Sequence, residues 1–123
     1  MHDSKEIACL CAEGADAKKG FDIKVLDLRS MTTIADYFVI CSASNTTQAG
    51  AIADGIGETL ARIGLHPSHI EGESGATWIL MDYGDVVVHI FEEQTRVYYS
   101  LDKLWSEAPR VPLSSTPLLG ASR

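Results

Sequence analysis

The sequence lacks any long hydrophobic run and any leader-like segment at its start. No apolar stretch approaches the roughly 20 residues that cross a bilayer, and Met1 to Glu6 shows no basic region followed by an apolar one. We therefore expect a cytoplasmic protein without membrane contact. With 123 residues and 46% apolar content, the chain is long enough for one domain with its own core and too short for two.

Cationic side chains are also scarce. The chain carries 10 Lys and Arg against 17 Asp and Glu, a net charge of −7, and the acidic surplus is largest between residues 65 and 105. Because nucleic-acid affinity comes largely from Lys and Arg, we expect little direct contact with nucleic acid. A basic protein partner suits such a domain better.

Cysteine is limited to Cys9, Cys11 and Cys41, an odd number without the spacing of a zinc site. We interpret them as free thiols in a reducing compartment. His66 and His69 are three residues apart, but Pro67 argues against the helix that would direct both at one metal ion. We therefore expect neither a metal nor a cofactor.

Phosphate-binding glycine loops are missing as well, since the chain has no Gly-x-Gly-x-x-Gly and no Gly-Lys-Ser/Thr. The small polar run from Ser42 to Gln48 lies between a predicted strand and a predicted helix, where phosphates can bind to helix amides. We favour the simpler interpretation, in which Asn45 caps the helix and pairs with Gln48.

The hydrophobic pattern predicts three helices and several strands. They are a helix over 4–19, strands over 22–29 and 35–43, a helix over 45–64, a short strand near 70–75, a hairpin, and a last amphipathic helix marked by Val97, Leu101, Leu104 and Trp105. This order indicates an α/β fold with a mixed sheet and helices packed on it. Residues 1–108 form the predicted domain, and the Pro- and Ser-rich residues 109–123 a loose tail.

What the chain does have is a hairpin from Thr77 to Phe91, in which two apolar runs rich in β-branched residues flank a turn over residues 82–85. If Tyr83 and Gly84 form a two-residue loop, Asp82 faces Asp85. In the same register Leu80 faces Val87 and Trp78 faces His89. One face is purely apolar and is predicted to lie on the core: Ile79, Met81, Val86, Val88 and Ile90.

The opposite face carries Trp78, Leu80, Asp82, Asp85, Val87, His89 and Phe91, and it allows several interpretations. It could be a second buried layer. It could instead be a partner-binding surface, with Trp78 and Tyr83 as anchors and Asp82 and Asp85 as charges. An enzymatic alternative, a nucleotidyl or phosphoryl transferase, places Asp82, Asp85 and His89 around a divalent metal. It is less favoured because no phosphate loop, Lys or Arg lies near these residues in sequence.

Several segments together resemble the bacterial ribosomal silencing factor family, also called Iojap-like. They are Asp36 to Cys41 with Ser42-Ala43-Ser44, Ile52 to Asp54, Glu71-Gly72, Trp78 to His89, and Leu104-Trp105. The segment from Asp82 to His89 is the most specific, and the resemblance covers about residues 4–108. The chain departs from the family at Ser42-Ala43-Ser44, where a Gly-containing run is usual, and in its Pro-rich tail.

The resemblance implies a small α/β fold similar to nucleotidyltransferases but without catalysis, so we expect no enzyme. It further implies a translational repressor that binds ribosomal protein uL14 on the large ribosomal subunit and blocks joining of the small subunit. Family members often form homodimers when free of the ribosome. By motif match, the contact surface would comprise Trp78, Met81, Asp82, Tyr83, Gly84 and Asp85.

Overall fold

The computed structural model describes residues 2–99, 103 and 105–113, with side chains for all of these except 97–99. Its elements are α1 (Ser4–Ala17), β1 (Phe21–Asp27), β2 (Tyr37–Ala43), α2 (Thr46–Ala61), β3 (His69–Glu71), β4 (Trp78–Asp82), β5 (Val86–Glu92) and α3 (Glu93–Tyr99). The five strands form one sheet in the order β1-β2-β5-β4-β3. Only β2 and β5 pair in parallel among these neighbours. The predicted α/β class with a mixed sheet is confirmed.

The centre of the sheet and the start of α2 follow directly from the sequence. All seven residues of β2 are buried, as expected for a continuous apolar run covered on both faces. Asn45 caps α2, because its side chain accepts a hydrogen bond from the Gln48 amide at 2.8 Å. The Gln48 side chain accepts from the Ser44 amide and donates to the Lys19 carbonyl. The capping interpretation of this polar run is therefore confirmed.

Helices α1 and α2 lie together on one face of the sheet and cross closely. A Cβ atom at Gly14 would lie 2.9 Å from Cα of Ile56, and one at Gly55 would lie 3.2 Å from the Gly14 carbonyl oxygen. Glycine weakens a helix interior, but here it lets the two backbones approach. Among the helices in the described part of the chain, none is long and apolar enough to cross a membrane.

The sheet separates two apolar clusters. The helix-facing cluster includes Ile79, Met81, Val86, Val88 and Ile90, each at most 2% exposed, so the predicted core face of the hairpin is confirmed. The outer cluster contains Leu26, Leu28, Ala35, Phe38, Ile40, Val87, Phe91 and Ala108, with Trp78, Leu80 and Trp105 packed against it. The second buried layer is thus real for Val87 and Phe91, whereas Leu80 is only half-buried.

The segment after α3 covers part of the outer face. Trp105 lies in a turn, not in the predicted helix, and its ring packs edge-on against Phe38 with 5.8 Å between ring centroids. Of the other residues that predicted this helix, Leu101 and Leu104 lie outside the described residues. Val97 falls within α3.

The first residues of the predicted tail pair with β1. The Asp27 amide donates to the Pro109 carbonyl and the Val111 amide donates to the Val25 carbonyl, each at 2.8 Å, and Leu26 pairs with Arg110. An edge strand has unpaired backbone groups that such a segment can satisfy. The loose-tail prediction therefore does not describe residues 109–111, and residues 114–123 lie outside the described part.

Candidate functional site

The hairpin turn lies one residue further along the chain than predicted. The Tyr83 amide donates to the Val86 carbonyl at 2.9 Å, so Gly84 and Asp85 form the two-residue loop. Gly84 adopts a φ of 89°, which suits glycine at the first loop position of a tight hairpin. The Asp82 carboxylate accepts a hydrogen bond from the Gly84 amide at 2.7 Å and stabilises this turn.

The shifted loop changes the pairing of the strands but not their faces. Asp82 pairs with Val87, Leu80 with His89 and Trp78 with Phe91, so the predicted pairing of Asp82 with Asp85 is wrong, as are the other two predicted pairs. Moving the loop by one residue moves the pairing by two positions. Because side chains alternate with a period of two, each residue keeps its predicted face.

The loop is fastened to the neighbouring strand. The Asp85 carbonyl oxygen accepts hydrogen bonds from the amides of Asp36 and Tyr37, at 2.8 and 3.1 Å. The Asp85 carboxylate itself is exposed, as is Gly84. The tip of the hairpin is therefore a fixed, acidic projection beside the start of β2.

On the outer face, the sheet is covered at its centre and open at the β3–β4 edge. Trp78, Leu80 and Asp82 of β4 are half-buried, whereas their partners on β5 are buried. β3 extends this open surface, with His69 opposite Asp82 and Glu71 opposite Leu80, both exposed. Opposed residues share a face. We call these five residues the outer ledge.

The sequence did not reveal that His69 and Glu71 belong to this surface. The His69 ring is within hydrogen-bonding distance of the Glu71 carboxylate, since His69 Nε2 lies 2.8 Å from Glu71 Oε1. A short strand was predicted nearby, but its register against β4 could not be read from a three-residue element. The only available signal was the alternation of His69, Ile70 and Glu71, in which the middle residue packs on the helix-facing core.

Trp78 is held in place by two aromatic neighbours. Its ring stacks on Phe91, with centroids 4.9 Å apart, and its Nε1–H donates to His89 Nδ1 at 3.1 Å. His89 is 4% exposed, and its Nε2 has no hydrogen-bond partner in the described part of the chain. Burial lowers the pKa of His89 to about 4, so the imidazole is neutral at physiological pH. His89 therefore positions Trp78 and contributes no charge to the ledge.

Two of the six predicted contact residues point toward the helices. Met81 is 2% exposed inside the helix-facing cluster, which leaves its side chain no surface for a partner. Tyr83 is half-buried against the same cluster, and its hydroxyl is buried without a partner in the described residues. Burial, together with nearby Cys11, raises the pKa of Tyr83. The exposed parts of the predicted site thus come from Trp78, Asp82, Gly84 and Asp85, with a contribution from Tyr83.

The residues of the transferase alternative do not converge. Asp82 binds a loop amide, Asp85 sits in the loop, and His89 is buried in the outer aromatic cluster. Within the described residues, no group of three or more His, Cys, Asp or Glu side chains is arranged to hold a metal ion. The geometry gives no support to metal-assisted catalysis at the hairpin.

The three cysteines are free, as predicted. Cys11 and Cys41 are buried, and burial raises the pKa of both thiols. Burial also raises the pKa of the half-buried Cys9. Because the thiolate is the reactive form, these are unreactive thiols at neutral pH.

The fold and the hairpin together define a class of protein: a small α/β domain that presents a fixed acidic and aromatic surface at one sheet edge. Comparison with known proteins narrows this class. A family model described as "Ribosomal silencing factor during starvation" matches residues 1–122. The chain therefore belongs to the ribosomal silencing factor family, which supports a ribosome-associated role in translational silencing.

Individual relatives agree with this assignment. "Ribosomal silencing factor RsfS" of Bacillus subtilis is 40% identical over 111 residues, covering 90% of this chain and 94% of the relative. "Mitochondrial assembly of ribosomal large subunit protein 1" of Mus musculus is 30% identical over 88 residues, covering 69% of this chain and 39% of that protein. A crystal structure from Chromobacterium violaceum superposes with a TM-score of 0.83 at 28% identity, covering 94% and 98% of the two chains.

Proposed function

We propose that this chain is a translational repressor that binds the large ribosomal subunit through ribosomal protein uL14 and blocks joining of the small subunit. The binding surface is the outer ledge together with the hairpin tip at Tyr83, Gly84 and Asp85. Repression results from occupancy, because a protein seated on the subunit interface excludes the other subunit without any chemical step. The description of the family supports a role during starvation.

The observation that carries this proposal is the open ledge beside the acidic tip. Three carboxylates, from Glu71, Asp82 and Asp85, lie along the same sheet edge and hairpin tip as the half-buried Trp78. An aromatic anchor with acidic neighbours suits a basic protein surface, where charge aligns the partners and the ring supplies contact area. The name of the mouse relative supports the large subunit as the place of action.

The first test follows subunit joining. Purified large and small subunits are mixed with the protein, and free subunits are separated from joined ribosomes on a sucrose gradient. We expect the wild-type protein to shift ribosomes toward free subunits and to sediment with the large subunit. If joining proceeds unchanged with the protein in excess, the proposal fails.

Variants of the tip and ledge assign the effect to this surface. Asp82→Asn keeps an oxygen for the Gly84 amide while removing the charge, and Asp85→Lys reverses an exposed charge. Each is expected to weaken binding to purified uL14 by about 1–3 kcal/mol in calorimetry. Glu73→Lys is the matched control, because Glu73 is an exposed carboxylate before the other end of β4. Equal losses for Glu73→Lys and Asp85→Lys would mean that net charge, not the tip, determines affinity.

We further propose that the free protein is a cytoplasmic homodimer and acts without catalysis. Light scattering coupled to gel filtration measures the mass of the free protein, and a monomer at all concentrations would contradict the dimer. The transferase alternative predicts metal-dependent turnover of a nucleoside triphosphate that Asp82→Asn abolishes. Such turnover would replace the repressor hypothesis with an enzymatic one.

A further inference from the structure

The edge of the sheet opposite the outer ledge carries a cleft of about 280 Å³ beside β1. It is lined by Lys24, Leu26, Lys103, Trp105, Ser106, Ala108 and Arg110. Three of the ten Lys and Arg residues of an acidic chain thus meet at one place. None of the described lining residues is acidic. We call this site the cationic cleft.

Backbone pairing with β1 and aromatic packing hold the walls of the cationic cleft in place. Lys24 belongs to β1, and Arg110 belongs to the segment whose backbone pairs with Leu26 of the same strand. The Trp105 ring packs against Phe38 of the outer cluster and is only half-buried. The backbone at Lys24 and Arg110 and the Trp105 ring are therefore held on a common scaffold, so the backbone of the cleft needs little ordering when a ligand binds.

We propose that the cationic cleft binds a single nucleotide, with its phosphates on the cations and its base against Trp105. The Arg110 guanidinium presents a planar set of donors that fits phosphate oxygens in pairs, and Lys103 adds a point charge. An indole ring offers a stacking surface for any base. The two phosphate groups of a nucleoside diphosphate match Arg110 and Lys103.

The geometry favours a mononucleotide over a nucleic-acid strand. Proteins that bind single strands use an extended basic groove with a series of aromatic platforms. Among its described lining residues the cationic cleft has one aromatic side chain, and its volume is just below the usual range for small-molecule sites. A net charge of −7 repels a long polyanion more than a single nucleotide.

Calorimetric titration of the full-length protein tests this proposal, with ADP, GDP, adenosine and pyrophosphate as ligands in phosphate-free buffer. We expect saturable binding of ADP or GDP. Adenosine and pyrophosphate should each bind at least about tenfold more weakly, because each retains only one half of the interaction. Lys103→Gln and Arg110→Gln are each expected to reduce nucleotide affinity by about tenfold.

Arg62→Gln is the matched control, since Arg62 is an exposed arginine at the end of α2, away from the cleft residues. It should leave nucleotide binding unchanged, and thermal unfolding confirms that all three variants are folded. The proposal is overturned if neither ADP nor GDP binds at concentrations up to about 1 mM. It is also overturned if the cleft variants bind like wild type, if pyrophosphate binds as tightly as ADP, or if a hexauridine strand binds more tightly than either nucleotide. If Arg110→Gln represses subunit joining as strongly as wild type, the nucleotide site is separate from the proposed ribosome-binding surface.

Discussion

The two edges of the sheet differ in charge and in how the chain builds them. The outer ledge and hairpin tip are acidic and come from residues 69–85, which are close in sequence. The cationic cleft draws on residues 24, 103 and 110, which meet only because the chain returns to β1 after α3. The hairpin part of the first surface can be recognised in the sequence by its motif, although His69 and Glu71 join it only through pairing with β4. Surfaces of the second kind exist only in the fold, and a count of charges along the chain hides them.

The largest expected effect is a loss of stability caused by a substitution beside the outer ledge, at Gly72. Gly72 has a φ of 86°, and a Cβ atom there would lie 2.0 Å from the Trp78 carbonyl oxygen. Gly72→Ala combines left-handed strain with a backbone clash and should lower the free energy of unfolding by about 4 kcal/mol. Denaturant unfolding measures this change.

Gly57→Ala provides the control for Gly72→Ala. Gly57 lies in α2 with open space around its Cβ position. We expect no loss, or a gain of up to about 1 kcal/mol, because alanine favours the helix. Similar losses in the two variants would show that the strain at Gly72 had been overestimated.

The second effect is the pH dependence of stability caused by His89, which supports Trp78 of the outer ledge. The pKa of His89 is lowered from 6.5 to about 4, so the unfolded chain binds a proton that the folded chain excludes. This part of the stability is complete above pH 6.5 and is lost as the pH falls to 4, by about 3 kcal/mol in total.

Unfolding of wild type and His89→Gln across this pH range isolates the contribution of the histidine. Glutamine can still accept a hydrogen bond, so the Trp78 donor retains a possible partner. We expect the variant to lose less stability on acidification than wild type. Parallel curves would mean that the carboxylates, not His89, account for the acid sensitivity.

A third, smaller effect concerns the β1 edge. Arg96 of α3 is 6% exposed and donates to the Asp22 carbonyl at 2.7 Å and to the Ser42 hydroxyl at 2.8 Å. Arg96→Met removes a charged donor from the buried Ser42 hydroxyl and from the Asp22 carbonyl, and should cost about 2 kcal/mol of unfolding free energy. The exposed Arg62→Met should change stability by less than about 0.5 kcal/mol. A change in uL14 affinity for Arg96→Met would show that the two edges are coupled.

The smallest effect tests whether the tip acts on binding alone. The Asp85 side chain is exposed, while its backbone carbonyl makes the contacts to β2. Asp85→Lys should therefore change the free energy of unfolding by less than about 0.5 kcal/mol, even though we expect it to weaken binding to uL14. A larger loss of stability would make the binding result uninterpretable and assign Asp85 a structural role.

Much of the fold could be predicted because it depends on local patterns. The buried run of β2, the Asn45 cap and the two faces of the hairpin follow from apolar periodicity and capping chemistry. The loop was misplaced by one residue, since both candidate loops contain Gly84. The hydrogen bond from the Gly84 amide to the Asp82 carboxylate favours the observed one.

The remaining features depend on contacts between distant segments. The register of β3, which brings His69 and Glu71 onto the ledge, is set by pairing with β4. Burial of Arg96 requires α3 to pack on β2, beside Ser42. The pairing of Arg110 with Leu26 depends on the free edge of β1. None of these leaves a periodic signal along the chain.

The hydrogen bonds from Asp36 and Tyr37 to the Asp85 carbonyl have a thermodynamic consequence for recognition. A loop already immobilised in the free protein loses little conformational entropy when a partner covers it. Contact energy at the tip then appears almost fully as affinity, and mutations there should act mainly on the dissociation rate. In the proposed complex, the conformation of the binding loop is thus already set when the protein folds, before the partner binds.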